Sequence, residues 1–360
     1  MSEGKLKTVI LGLNEGGKLL IEAACATGFF DIEAVADKDL NLVEKIAGEL
    51  KCAAYDDFRQ LITATDSRLS PGNRILLAAA DTHICDEYIR MAMKKKFNIL
   101  KLPPLARNFE EAAEFVRLGE EEKIIFSIAN AGRYSESYFA LREYFSEKKL
   151  EQVFLMTVFC TFDEPPRDTW HTDPKLSGGG VLLHNCYKII DQIVLNLGVA
   201  QQVYSLQTNQ AKDKQQRSYL TEDTAMVTLK FSDTLMGNII TSRRSGMGQP
   251  QEFLRFFGKD KTLTVNEKQL NIRDGQGEVT EFKEFHDTQL DRMTALLKDF
   301  ALSILAPEEK KPISTGRENL NSMAVIESAY LSARTGFPEE PARILQMPDF
   351  YIAAKNRIHE

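Results

Sequence analysis

At 360 residues the chain is long enough for two domains of ordinary size, each with its own core. Hydrophobic residues make up 43% and charged residues 27%, and the formal net charge of −7 argues against nucleic acid or an anionic membrane as the main partner. No apolar run approaches the roughly 20 residues needed to cross a bilayer, and five cysteines without a C-x-x-C pair read as reduced thiols of a cytoplasmic protein.

The stretch Lys5 to Asp37 reads as strand, glycine turn, helix, strand and terminal acid. Thr8 to Leu11 is a β-branched apolar run that stops at Gly12. Leu19, Leu20, Ala23 and Ala24 repeat on one helical face, and Gly28 offers a stop. Ile32 to Ala36 forms the next strand, with Asp37 at its end. Glycines in such a turn let the backbone approach a pyrophosphate, which meets the N–H groups and positive end of the helix. An acid at the end of the second strand accepts hydrogen bonds from the adenosine ribose, and Asp37 stands near the spacing of roughly 20 residues expected for it. Against G-x-G-x-x-G the chain offers Gly12-Leu13-Asn14-Glu15-Gly16-Gly17. Asn14 replaces the glycine nearest the phosphates. Asparagine tolerates left-handed geometry, but its side chain narrows the approach, and Glu15 adds a like charge. Asp37 favours NAD over NADP, although the neighbouring Lys38 could offset part of the repulsion of a 2′-phosphate, so NADP stays open.

Asp39 to Leu50 has helical period with Asp39 as its cap, and Ala53 to Tyr55 is a short strand. Thr63 to Asn73, with Ser70-Pro71-Gly72, reads as a turn. Ile75 to Ala80 is apolar on both alternations and belongs at the centre of a parallel sheet. Ala80, Asp81 and His83 then lie at the carboxyl edge of that sheet, where ligands bind. A helix over Asp86 to Lys96, a strand over Phe97 to Lys101, the Pro103-Pro104 break, a helix from Phe109 to Leu118 and a strand from Ile124 to Ala129 complete a doubly wound domain over 1–130. Residues 131–360 change pattern. Strands over Val153 to Phe162, Gln202 to Thr208, Thr224 to Phe231, Thr234 to Ser242, Phe253 to Gly258, Lys261 to Val265 and Gln269 to Arg273 imply a mostly antiparallel sheet. Helices at Tyr138 to Phe145, Val181 to Leu197, Asp291 to Ile304 and Arg317 to Thr335 are expected on one face of it. Its other face is open and needs covering, which points to a homodimer or tetramer.

Several stretches carry a further resemblance: Pro104 to Asn108, Trp170-His171-Thr172-Asp173 running into Ser177-Gly178-Gly179-Gly180-Val181, Ile189-Ile190-Asp191, Glu222-Asp223-Thr224-Ala225 and Asn321 to Gly336. In order and spacing the chain resembles the glucose–fructose oxidoreductase / inositol dehydrogenase family of NAD(P)-dependent oxidoreductases. The resemblance implies a Rossmann domain followed by an α/β domain, and hydride transfer between nicotinamide and a polyol, sugar or related carbonyl compound. It also implies Gly12, Asn14, Glu15, Gly16, Gly17, Asp37, Lys38, Ala80, Asp81, His83 and Pro104 around the cofactor, and Arg133, Trp170, His171 and Asp173 around the substrate.

At the catalytic positions the chain departs from that family. Its E-K-P, whose lysine polarises the reacting oxygen, is Leu102-Pro103-Pro104 here, and Lys101 lies two residues upstream as a possible substitute. The family's Asp and later His are His184 and Lys188, at i, i+4 spacing that puts both on one helical face. Histidine is the side chain suited to acid/base work near neutrality, whereas lysine donates a proton or binds an anion unless burial lowers its pKa. Two readings stay open: a rewired acid/base pair, or polar residues of a dinucleotide- or sugar-binding protein without turnover. His171, Asp173, His184 and Cys186 are metal-ligand types without a tight motif, and no metal is assigned. Arg243 and Arg244 either bind an acidic substrate group or face solvent.

Overall fold

The computed structural model describes residues 5–64, 73–162, 169–209, 221–243 and 250–346. The chain forms two compact units, one of Met1–Ala106, Glu111–Tyr134 and Thr288–Asn319, the other of Arg107–Glu110, Ser135–Asp287 and Leu320–Glu360.

The first unit alternates strand and helix: β1 (Leu6–Leu11), α1 (Glu15–Thr27), β2 (Phe30–Ala36), α2 (Leu40–Leu50), β3 (Ala53–Tyr55), α3 (Phe58–Ala64), β4 (Arg74–Ala78), α4 (Thr82–Lys94), β5 (Asn98–Lys101), α5 (Phe109–Glu121) and β6 (Phe126–Ile128). All six strands are parallel, in the order β3-β2-β1-β4-β5-β6. The chain winds outward one way from β1 and the other way from β4, so the carboxyl ends of these two central strands flank the switch point where doubly wound sheets bind ligands. β4 is buried at every residue, as its unbroken apolar run requires. The turn expected at Thr63 to Asn73 lies mostly outside the described residues. Helix α4 begins at Thr82, four residues before the expected start, so His83 sits in its first turn rather than in a loop.

The second unit contains α6 (Glu136–Ser146), β7 (Leu155–Thr161), four helical pieces α7 (Thr169–Thr172), α8 (Pro174–Ser177), α9 (Val181–His184) and α10 (Tyr187–Leu197), then β8 (Gln202–Thr208), β9 (Thr224–Lys230), β10 (Met236–Ser242), β11 (Gln251–Phe257), β12 (Lys261–Val265), β13 (Gln269–Asp274) and β14 (Val279–Glu284). The eight strands run β14-β13-β12-β11-β7-β10-β9-β8, antiparallel throughout except for the pair β7 and β10. The period-2 alternation buries Ala225, Val227 and Leu229 on one face of β9. On the other face the register aligns Leu206, Met226, Ile240, Phe159 and Phe253 in a row across five strands. Leu206 and Met226 there are 59% and 55% exposed.

Two long helices follow the second sheet, α11 (Gln289–Leu305) and α12 (Gly316–Thr335). The expected place of α11 is corrected. It does not pack on the second sheet but returns to the first unit, where Met293, Leu296, Leu297, Phe300 and Ala301 share a core with Leu20, Ala23 and Ala24 of α1. A contiguous cut at residue 130 therefore leaves out a helix that the Rossmann unit buries. The expected single helix over Val181 to Leu197 is also corrected. Val181 O accepts from both Asn185 N and Cys186 N, at 3.1 and 2.9 Å, and this wide turn separates α9 from α10. Strand β14, all but one of whose residues are exposed, gives too little apolar alternation to be read from sequence.

Candidate functional site

In the first unit the site is built on the ends of β1 and β4. Gly12 has φ +92°, and a Cβ there would stand 2.4 Å from Ala80 N, so only glycine lets the two strand ends meet. Gly17 is required where the helix crosses the turn, since its Cβ would lie 2.1 Å from Gly12 O. Asn14 corrects the sequence reading. Its φ is −61°, not left-handed, and it acts as the N-cap of α1. Its Oδ1 accepts from Gly17 N at 3.0 Å, while its Nδ2 donates to Ala79 O at 2.7 Å. The side chain is folded back into the turn, and the N–H groups of Glu15 and Gly16 remain at the helix start for an anion.

Asp37 braces the same turn. Its Oδ2 accepts from Leu13 N at 2.6 Å and its Oδ1 from Asp39 N at 3.1 Å. Each carboxylate oxygen has two acceptor sites, so capacity for ribose hydroxyls remains. Lys38 beside it is exposed, and His83 is half-buried at the start of α4. A close-approach glycine turn, open N–H groups at a helix start and an acid at the neighbouring strand end fit a dinucleotide.

The loop after β5 is held from below. Lys101 is 2% exposed, and its Nζ donates to Pro104 O at 2.6 Å and Leu102 O at 3.1 Å. Burial pushes the Lys101 pKa down. A Leu102 methyl carbon lies 2.4 Å from where a Gly16 Cβ would be, so this loop packs against the phosphate turn. Pro103, at the family lysine's position, is exposed and has no donor to offer. Arg133 is buried in this unit and donates to Glu318 Oε2 at 2.8 Å.

In the second unit the structure brings together Trp170, His171 and His184. The Trp170 and His171 rings stack with centroids 3.6 Å apart, and His184 stands edge-on to both at 5.8 and 5.9 Å. His184 Nε2 is 3.0 Å from Ser177 O. A carbonyl only accepts, so Nε2 carries the proton and Nδ1 is the basic nitrogen of the neutral ring. Asp173 caps α8, accepting from Lys175 N at 2.8 Å.

Lys188 is not paired with His184, because the helix breaks between them. Its Nζ lies 2.8 Å from both Glu252 Oε2 and Glu267 Oε1. Burial alone would lower its pKa, but the two carboxylates outweigh that and hold it raised. Glu252 also accepts from Tyr138 OH at 3.3 Å. Sequence reasoning missed both acids: one lies on β11 and one in the β12–β13 turn, and a lone lysine at a position that asks for a base was the only signal of them. Cys186 donates its thiol to Thr241 Oγ1 at 3.1 Å, and among the described residues no three His, Cys, Asp or Glu side chains are set to hold a metal. Arg243 is buried, and Arg244 lies outside the described residues.

The family description "Oxidoreductase family, C-terminal alpha/beta domain" matches residues 142–339. Comparison with curated proteins gives no match. Among solved structures, levoglucosan dehydrogenase in complex with NADH and levoglucosan is 14% identical, with 94% of this chain and 99% of that one covered at a TM-score of 0.83. The WlbA dehydrogenase from Bordetella pertussis in complex with NADH and UDP-GlcNAcA is 15% identical, covering 94% and 99% at 0.78. A probable dehydrogenase from Thermotoga maritima is 18% identical, covering 94% and 100% at 0.76. At these identities the likeness is one of fold, and it agrees with the two sheets described above. With more than half its length matched by the family's C-terminal domain, the chain belongs to the Gfo/Idh/MocA oxidoreductase family.

Proposed function

We propose that the protein is an NAD-dependent oxidoreductase acting on a polyol, sugar or related carbonyl compound. The observation that carries this is Asp37, whose carboxylate braces the Gly12 turn at the end of β2, where a ribose would be read. The same carboxylate disfavours a 2′-phosphate and hence NADP. When bound, the cofactor exchanges hydride with the substrate carbon. The N–H groups of Glu15 and Gly16 would hold the pyrophosphate of the cofactor, and Asp37 its ribose hydroxyls. His184 takes or returns the hydroxyl proton at Nδ1, its Nε2–H being held by Ser177 O. The Trp170 and His171 rings offer a flat apolar wall to a sugar ring. Lys188, held charged by two glutamates, orients and does not abstract, and Lys101 supports the loop it is bonded to. Five free thiols suit a cytoplasmic setting. The open face of the eight-stranded sheet is the place for a second copy of the chain, giving a dimer or tetramer.

A calorimetric titration with NADH and NADPH, followed by a panel of polyols and sugars, tests the reading. The expected outcome is micromolar binding of NADH, weakened about tenfold by Asp37→Ala through loss of a charge-assisted hydrogen bond, and turnover lost in His184→Ala. Equal NADH affinity in the Asp37→Ala variant would overturn the cofactor assignment. A second reading, a dinucleotide- or sugar-binding protein without turnover, is favoured by one observation: neither lysine near the expected positions is unpaired, and Pro103 has no donor. NADH binding with no substrate turned over would select it.

A further inference from the structure

Glycines such as those of the run Gly178-Gly179-Gly180 leave room for a close approach. What comes close in the structure is the protein itself. A Cβ on Gly180 would lie 1.8 Å from Glu222 O, and one on Gly179 would lie 2.0 Å from Tyr330 OH. Glu222 is 5% exposed, and three successive N–H groups end on it. Gly180 N donates to its Oε2 at 2.8 Å, Val181 N to its main-chain oxygen at 3.0 Å, and Leu182 N to its Oε1 at 2.9 Å. Tyr330 OH from α12 donates to the same Oε1 at 2.9 Å. A buried carboxylate with these donors is strongly directional, because each lost partner leaves a desolvated group unsatisfied.

The clamp leads to one side chain. His184 N donates to Gly180 O at 3.0 Å, one turn beyond the clamped residues, and the ring's Nε2–H reaches Ser177 O at the other end of the glycine run. The backbone on both sides of that run therefore sets where the imidazole stands and which nitrogen carries its proton. The geometry points to Glu222 and Tyr330 as positioning residues for His184, which they orient through the glycine turn without touching it. This rests on the acid/base reading of His184 for its functional meaning, but not for its test.

Burial pushes the Glu222 carboxyl up in pKa, and its N–H and Tyr330 donors pull the other way, so removing a donor leaves the group less able to hold charge. Tyr330→Phe deletes one hydroxyl without changing volume, and Glu222→Gln keeps the shape while reversing the sense of a hydrogen bond. The full-length protein, labelled at its five histidine rings, is followed by NMR without added ligand, with His184→Ala assigning the signal. In both variants the His184 ring signals move while those of His286 on the surface stay in place. Where a substrate is turned over, kcat falls roughly tenfold to a hundredfold with KM little changed, as misplacement of a reacting group predicts. His184 signals superposing on wild type in Tyr330→Phe would overturn the proposal, even if the variant melts earlier, because that is the mark of a scaffold only. If Glu222→Gln does not fold, Tyr330→Phe decides alone. Absence of turnover in the wild type would sink the oxidoreductase reading and leave the ring signals to decide the clamp.

Discussion

Lys188 has its chemistry set by the two carboxylates beside it. An isolated lysine at a base position would need a depressed pKa to abstract a proton, and here two carboxylates at 2.8 Å drive it the other way. Its folded-state value lies above the unfolded one, so the pairing stabilises fully below the unfolded pKa and is lost as pH rises through the folded value. Replacing it by methionine leaves Glu252 and Glu267 facing each other without a counter-charge. The stability gap between wild type and Lys188→Met, read from urea midpoints, is therefore full at neutral pH and closes only above about pH 10.4, where the ordinary lysine begins to deprotonate. A gap that closed near neutrality would show Lys188 to be a group that can give up its proton, and would return it to the list of bases. The side chain is partly buried but still 39% exposed, so solvent screens the pair and keeps the gap smaller than that of a fully buried one.

At the scale of elements, the loop after β5 joins the buried cation to the phosphate turn. Lys101→Met would leave Leu102 O and Pro104 O without their donor, at about 1–3 kcal/mol for each orphaned group, against recovery of the cost of burying an ammonium. A net loss of roughly 2 kcal/mol is expected. It should come with weaker NADH binding, because Leu102 packs on Gly16. An unchanged midpoint and affinity would mean that the loop holds itself. Elements of this kind divide what sequence can tell from what it cannot. The strands β1, β4 and β8 to β13 were legible because period-2 or unbroken apolar runs are set by their own side chains. The Asp39 cap was legible for the same local reason, and its carboxylate accepts from Leu42 N as expected. The break at Asn185-Cys186 was not, because the apolar period runs through it. The two acids at Lys188 were not, because nothing local ties residues 252 and 267 to residue 188. Asn14 was half legible: its oddity in the glycine pattern was plain, but the fold-back of its amide onto Ala79 O, at the end of β4, depends on a residue far off in sequence.

At the scale of the whole molecule, the second sheet carries a row from Leu206 through Met226, Ile240 and Phe159 to Phe253, whose Leu206 and Met226 end is exposed among the described residues. Exposed apolar surface of this kind marks an association site, and a second copy offers a flat sheet of the same character. Light scattering on the purified protein should give a dimer or tetramer, and the Leu206→Asp, Met226→Glu double variant a monomer with unchanged circular dichroism. A monomeric wild type would refute it. The return of α11 to the first unit has a different consequence, one of timing. The apolar face of α1 meets Leu296, Leu297 and Phe300, which leave the ribosome only after the entire eight-stranded sheet has been made. The N-terminal unit is thus the first to be started and is completed only after the whole second sheet has been synthesised. It must wait with a bare helix face for most of translation, so a chaperone that shields apolar helices would be engaged longest by the part of the chain that emerges first.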